Sequence, residues 1–98
     1  MRVISFATIR DYSQHHADAD VALRDWHTKT ESANWNCLAD IKRTFNTADY
    51  VGNDRYVFNI KGNDYRLVAM IFLQVGHVYI RWIGTHAEYD RIMDIQNL

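Results

Sequence analysis

Three apolar runs in the second half of the chain restrict most strongly what it can fold into. They are RYVFNI (55–60), YRLVAMIFL (65–73) and HVYIRWIG (77–84), and only KGND and QVG separate them. β-Branched and aromatic residues dominate the runs, and the two connections carry the glycine and polar residues of hairpin turns. A parallel connection would need a crossover of roughly a dozen residues, so the sequence predicts three antiparallel neighbours.

The first half and the extreme C-terminus have helical patterns. The segment RVIS reads as a short strand, Ser5 and Asp18 as caps of two helices, and residues 35–45 as a third helix with Ile41 on its apolar side. The tetrapeptide THAE (85–88) is a capping box that starts a short last helix. The order β-α-α-α-β-β-β-α predicts an α+β two-layer domain, with helices packed on one face of an antiparallel sheet.

Length and composition predict one globular domain without an intrachain disulfide or a membrane span. With 98 residues and 48% apolar residues, the chain is expected to form one domain over residues 1–98. Cys37 is the single cysteine, so no intrachain disulfide is possible, which fits a reducing cytoplasm. No apolar run approaches the roughly 18 residues of a membrane span. Residues 55–91 hold five Lys and Arg against three Asp and Glu, a hint of an anionic ligand.

Two arginines stand out because they interrupt apolar strands. Arg66 lies near the start of the second run, and Arg81 lies between Ile80 and Trp82 in the third. A buried guanidinium is costly unless it is paired. One interpretation is therefore structural, with each arginine on the rim or paired with an acid such as Asp64 or Glu88. The other is that both bind an anion.

The start of the last helix supplies two more candidates. His86 is the first helical residue if Thr85 is the cap, and backbone amides at such a position favour an anion and a neutral imidazole. Tyr89 is three residues later, on the same side of the helix. The simpler alternative is that Tyr89 packs on the sheet and His86 is solvated.

Arginines, a histidine and a tyrosine suit metal-free cleavage of RNA. That reaction needs a base for the 2′-hydroxyl, an acid for the leaving 5′-oxygen and cations for the charge on phosphorus. The same set would also serve passive phosphate binding. The segment HHADAD (15–20) resembles a metal cluster, but it spans a predicted helix junction where Asp caps are common, so no metal and no other cofactor is expected.

The C-terminal half resembles the HigB-type toxins of the RelE superfamily, which are mRNA interferases of bacterial type II toxin–antitoxin modules. The segments YVFNIKGNDYRLVA (56–69) and VYIRWIGTHAEYD (78–90) carry the resemblance through polar residues at fixed spacing. It implies a RelE-like fold and a cytoplasmic toxin that cuts mRNA, in most relatives on the ribosome. It also implies a cognate antitoxin, a HigA-like DNA-binding protein, as partner.

The resemblance also implies a site. The family's arginines fall on Arg66 and Arg81, and its histidine and tyrosine fall on His86 and Tyr89, which gives the predicted catalytic set. Lys61 in the hairpin, with Asn59 and Arg55 on the preceding strand, is expected to bind RNA phosphates. Two other functions fit the same sequence. One is that of a RelE-fold toxin that poisons gyrase by binding protein, and the other is that of a non-catalytic RNA- or phosphate-binding module.

Overall fold

The computed structural model describes residues 1–98 and contains five strands and four α-helices. The strands are β1 (Arg2–Ile4), β2 (Asp49–Gly52), β3 (Arg55–Ile60), β4 (Tyr65–Phe72) and β5 (His77–Thr85). The helices are α1 (Phe6–His15), α2 (Asp20–Ser32), α3 (Leu38–Thr44) and α4 (His86–Asp90), with 3-10 turns at Ala17–Ala19 and Ile95–Asn97. The α+β fold predicted from the sequence is confirmed.

The sheet has the order β1-β5-β4-β3-β2. The meander from β2 to β5 is antiparallel, as predicted, whereas β1 pairs with β5 in parallel and makes the sheet mixed. The long connection that a parallel pair requires is supplied by the helices and the meander that lie between β1 and β5 in sequence. The strand β2 was not predicted, because it is a short edge strand that lacks an apolar pattern.

Alternation along β3 and β4 gives the sheet two different faces. One face, here called the helix-covered face, carries Tyr56, Phe58, Leu67, Ala69 and Ile71, and these residues form one core with Ile9, Leu23, Trp26 and Ile41 from the helices. The other face, here called the second face, carries Arg55, Val57, Asn59, Arg66 and Val68. Both valines are buried there, although they lie outside the main core.

The predicted helix caps have mixed outcomes. Ser5 occupies the N-cap of α1 without a side-chain capping bond. The prediction for Asp18 is wrong, since α2 begins at Asp20 and the Asp18 carboxylate instead accepts hydrogen bonds from Tyr65 and Lys61. The capping box of α4 is confirmed by reciprocal bonds between Thr85 and Glu88, although this helix has only five residues. None of the helices combines the length and apolar character that crossing a membrane requires.

Candidate active site

Arg66 lies at the centre of the candidate site, on the second face near the start of β4. Its side chain is buried, with 9% of the residue surface exposed. Nη2 donates to the Asn63 side-chain oxygen at 2.7 Å, and Nη1 donates to the backbone oxygens of Asn63 and Tyr65 at 3.2 Å. Arg66 forms no ion pair with Asp64 or Glu88, so the carboxylate pairing considered as an alternative from the sequence is absent. No carboxylate of the chain neutralises its positive charge.

Tyr89 is the aromatic neighbour of Arg66. The Arg66 guanidinium carbon lies 6.0 Å from the centre of the Tyr89 ring, and the centres of the Trp82 and Tyr89 rings are 6.2 Å apart. Burial raises the pKa of the Tyr89 phenol above its ordinary value of 10.0, and the charge of Asp49 adds to the rise while Arg66 opposes it. Tyr89 is thus a neutral phenol at physiological pH, able to donate a proton but not to act as a phenolate base.

Gly84 provides the space for this arrangement. It pairs with Arg66 across the sheet, and a Cβ atom at this position would collide with the Trp82 ring. A side chain here would displace Trp82, and Tyr89 would then lose the ring against which it lies. Gly84, the last residue of the third apolar run, is therefore a strand glycine that leaves room for the Trp82 ring, not a turn glycine.

His86 occupies a different part of the same end of the sheet. It lines a polar groove of about 600 Å³, here called the acidic groove, together with Asp18, Asn63, Asp64, Tyr65, Thr85, Ala87 and Asp90. Its Nε2 atom lies 3.3 Å from an Asp90 carboxylate oxygen, and its backbone N–H donates to the Asp64 carbonyl at 3.0 Å. The predicted binding of an anion at the N-terminus of α4 is weakened, because the His86 amide already donates its hydrogen bond to the Asp64 carbonyl.

The turn at Asn63 and Asp64 connects Arg66 with His86. Arg66 holds Asn63 from the second face, while His86 holds the Asp64 carbonyl from α4. Sequence reasoning missed the role of Asn63, although an asparagine in the hairpin three residues before an arginine was a usable signal. At this corner of the fold, Arg66 and Tyr89 lie together, and His86 contacts the other residue of the same turn.

Arg81 and Arg55 lie apart from this corner. In β5, Arg81 is the extra residue of a β-bulge, which places Ile80 and Trp82 on opposite faces of the sheet. The backbone oxygen of Leu98 accepts from Arg81 Nε at 2.9 Å and from Arg55 Nη2 at 2.7 Å. Arg81 is three residues before Gly84, the cross-strand partner of Arg66, which is roughly 10 Å along the strand. The predicted catalytic set is thus divided between two places.

Asn59 and Lys61 remain near Arg66 but face different surroundings. Asn59 is directly opposite Arg66 on the second face. Lys61 extends to the other side of the hairpin, where its Nζ atom lies 3.1 Å from Asp18. Hydrogen bonds from Tyr65 and then from Lys61 hold the pKa of Asp18 below its ordinary value. Lys61 is thus compensated by a carboxylate, whereas the Asn59 side chain makes no hydrogen bond within the protein.

Comparison of the sequence with known proteins shows the family to which the chain belongs. The model of the HigB_toxin family, described as the RelE-like toxic component of a toxin–antitoxin system, matches residues 19–92. The chain is 33% identical over 94 residues to the mRNA interferase toxin HigB of Escherichia coli (strain K12), a match that covers 92% of this chain and 88% of the relative. The mRNA interferase HigB of Shigella flexneri is similar to the same extent. The chain therefore belongs to the HigB family of RelE-like toxins.

Proposed function

We propose that this protein is the toxin of a type II toxin–antitoxin module and that it cleaves mRNA. The names of its relatives support the reaction, and one structural observation supports the site. Arg66 is a buried guanidinium without a carboxylate partner, next to a phenol that stays protonated at physiological pH. Such a pair offers charge stabilisation and a proton donor, which are two of the three requirements of RNA cleavage.

In the proposed reaction, the ribose 2′-hydroxyl attacks the adjacent phosphorus and the bond from phosphorus to the 5′-oxygen breaks. Arg66 stabilises the negative charge that develops on the phosphoryl oxygens. Tyr89 gives a proton to the departing 5′-oxygen, and its ring offers a surface for an unpaired base. These steps leave a cyclic phosphate and a free 5′-hydroxyl.

We assign the remaining requirement, the base, to His86. The contact with Asp90 favours a proton on Nε2 and leaves Nδ1 to accept the proton of the 2′-hydroxyl. Charge in the acidic groove opposes the close approach of a phosphate, so His86 would act from the side of the ribose. Arg81, the other arginine implied by the family, and Arg55, the arginine predicted to bind RNA, would reach RNA only after releasing Leu98.

We further propose that the reaction needs no metal ion, that it takes place in the cytoplasm on mRNA engaged by the ribosome, and that a HigA-like antitoxin neutralises the toxin. A guanidinium, a phenol and an imidazole together can meet the three requirements without a metal. Cleavage of naked mRNA should accordingly persist in excess chelator. Without chelator, cleavage should be faster on translated than on naked mRNA. Co-expression with the cognate antitoxin should restore growth.

The decisive experiment is primer extension on cellular mRNA after induced expression. Discrete new 5′-ends inside coding regions, present with the wild-type protein and missing with Arg66→Ala, support the proposal. Intact mRNA accompanied by DNA breaks would identify a gyrase poison instead. Intact mRNA without growth arrest would leave only a binding module.

A further inference from the structure

A second cavity opens at the sheet edge, next to Asn59. The strand β2 begins at Asp49, opposite Val57, so residues 58–60 of β3 have no strand beside them on their outer side. The loop that follows α3 lies there instead. Between this loop, α2 and the β3–β4 turn is a cavity of about 530 Å³, here called the flanking pocket, lined by Lys29, Arg43, Thr44, Phe45, Asn46, Thr47, Asn59 and Gly62.

The lining of the flanking pocket suits a phosphate. Lys29 and Arg43 come from different helices, and no carboxylate is among the lining residues. Each cation contacts an acid of its own helix, Asp25 for Lys29 and Asp40 for Arg43. These contacts leave further N–H donors free, because an ammonium has three donors and a guanidinium has five. By contrast, the acidic groove around His86 is lined by Asp18, Asp64 and Asp90.

Two side-chain amides in the lining are also available to a ligand. The Asn46 and Asn59 side chains make no hydrogen bond within the protein, so both can bind phosphate or ribose oxygens. Phe45, the one apolar residue on the wall, packs its ring against the core rings of Trp26 and Phe58, so the pocket offers polar groups rather than a stacking surface. Cations and amides are groups with which proteins hold the phosphates of nucleic acids.

Asn59 joins the flanking pocket to the candidate active site. It lines the pocket and is also the cross-strand partner of Arg66. Neighbouring strands are about 4.8 Å apart, so Asn59 and Arg66 lie side by side on the second face and one RNA strand could contact both residues. We propose that the flanking pocket binds the phosphate of a nucleotide next to the cleaved bond. This inference rests on the proposed ribonuclease function and adds the path that the RNA takes.

The test is the Lys29→Ala/Arg43→Ala double variant, compared with Arg10→Ala/Lys42→Ala. Both pairs remove two exposed positive charges, and Lys42 is adjacent to Arg43 in α3. Both Lys29 and Arg43 contact a carboxylate, whereas in the control pair only Arg10 does. Neither Arg10 nor Lys42 lines the pocket. The reporter is cleavage of one mRNA in a reconstituted translation reaction, measured over a range of mRNA and salt concentrations, with thermal melting alongside.

The pocket variant should raise the KM for mRNA about tenfold at unchanged kcat, while the control stays near the wild type. The dependence of log(kcat/KM) on log salt should become shallower by about 0.7 for each lost phosphate contact. Equal KM values and slopes in the two double variants would overturn the inference, as would a loss of kcat alone. In either case a cleaving wild type leaves the proposed function intact. A wild-type protein that does not cleave mRNA would refute the proposed function itself.

Discussion

At the residue scale, the proposed chemistry depends most on Arg66. Its guanidinium is held by three bonds to neutral oxygens, so it is oriented without being neutralised. We expect Arg66→Ala to lower the cleavage rate by about 10²–10³, as loss of one preorganised donor does. Arg66→Lys should recover little of this, because an ammonium lacks the planar fork. Cleavage kinetics beside thermal melting provide the check, and a variant that simply melts would show a structural arginine.

The Tyr89 hydroxyl can be tested separately from its ring. Tyr89→Phe keeps the contacts with Trp82 and Arg66 but removes the proton, so the rate should fall by about 10²–10⁴ if Tyr89 is the acid. The raised pKa of Tyr89 means that its protonated form persists above pH 10. As a group required in its protonated form, Tyr89 should therefore cause no loss of kcat between pH 7 and 9, which a pH–rate profile measures. If Tyr89→Phe cleaves normally while Tyr89→Ala does not, the ring acts by stacking alone.

His86 is the third residue whose role a substitution can resolve. His86→Ala and His86→Gln should both reduce cleavage by about 10²–10⁴ if the imidazole moves a proton, since an amide cannot titrate. A purely positioning role would let His86→Gln recover much of the activity. The side chain is 41% exposed, so neither variant should lower the melting temperature appreciably. Full toxicity of His86→Ala would remove this residue from the mechanism.

At the scale of elements, α4 is a short helix that depends on its cap. The Thr85 hydroxyl accepts from the Glu88 amide at 3.1 Å, and the Glu88 carboxylate accepts from the Thr85 amide at 2.7 Å. Thr85→Ala should cost about 1 kcal/mol of stability. Because α4 carries both His86 and Tyr89, the same change should also slow cleavage. Urea unfolding and cleavage assays measure the two effects, and a stable but inactive variant would show that Thr85 has a direct chemical role.

Glu88→Gln tests the other residue of the capping box, because the glutamine oxygen can still accept the hydrogen bond from the Thr85 amide without carrying a charge. Hydrogen bonds to Thr85 hold the pKa of Glu88 below its ordinary value of 4.5. A lowered carboxyl pKa gives stability that is present above the unfolded-state pKa and lost as pH falls through the folded-state pKa. The wild type should therefore lose stability below about pH 4.5 more steeply than Glu88→Gln. Parallel acid-unfolding curves would show that this bond contributes nothing.

The elements also show how far the sequence could predict the structure. The runs that became β3, β4 and β5 were visible because each buries apolar side chains. The strand β2 was not, since its residues are exposed or half-exposed. The parallel partner of β1 could not be predicted, because no local pattern selects which strand it joins. For the site, Arg66 and Tyr89 were predicted and lie together, whereas the bulge at Arg81 and the contact with Leu98 depend on tertiary packing.

At the scale of the whole molecule, the two faces of the sheet are closed in different ways. Helices α1 and α2 cover one face and bury Ile9, Leu23 and Trp26 in the core, most of which comes from the strands. On the second face, the C-terminal segment returns to the sheet, where Gln96 donates to Val51 of β2 and Arg55 and Arg81 hold Leu98. This segment crosses the sheet at the end away from Arg66. Stability and catalysis should therefore be separable on this face.

Arg55→Ala tests that separation. Losing its two bonds to Leu98 should loosen the C-terminal segment and cost roughly 1 kcal/mol, or about 4–8 °C in melting temperature for a domain of this size. Amide hydrogen exchange should become faster over residues 94–98, while kcat and KM for mRNA stay near the wild type. Arg10→Ala, which also removes an exposed arginine, is the control. The opposite result, an unchanged melting temperature with a raised KM, would mean that Arg55 binds RNA, as predicted from the sequence, and that the substrate displaces the C-terminal segment.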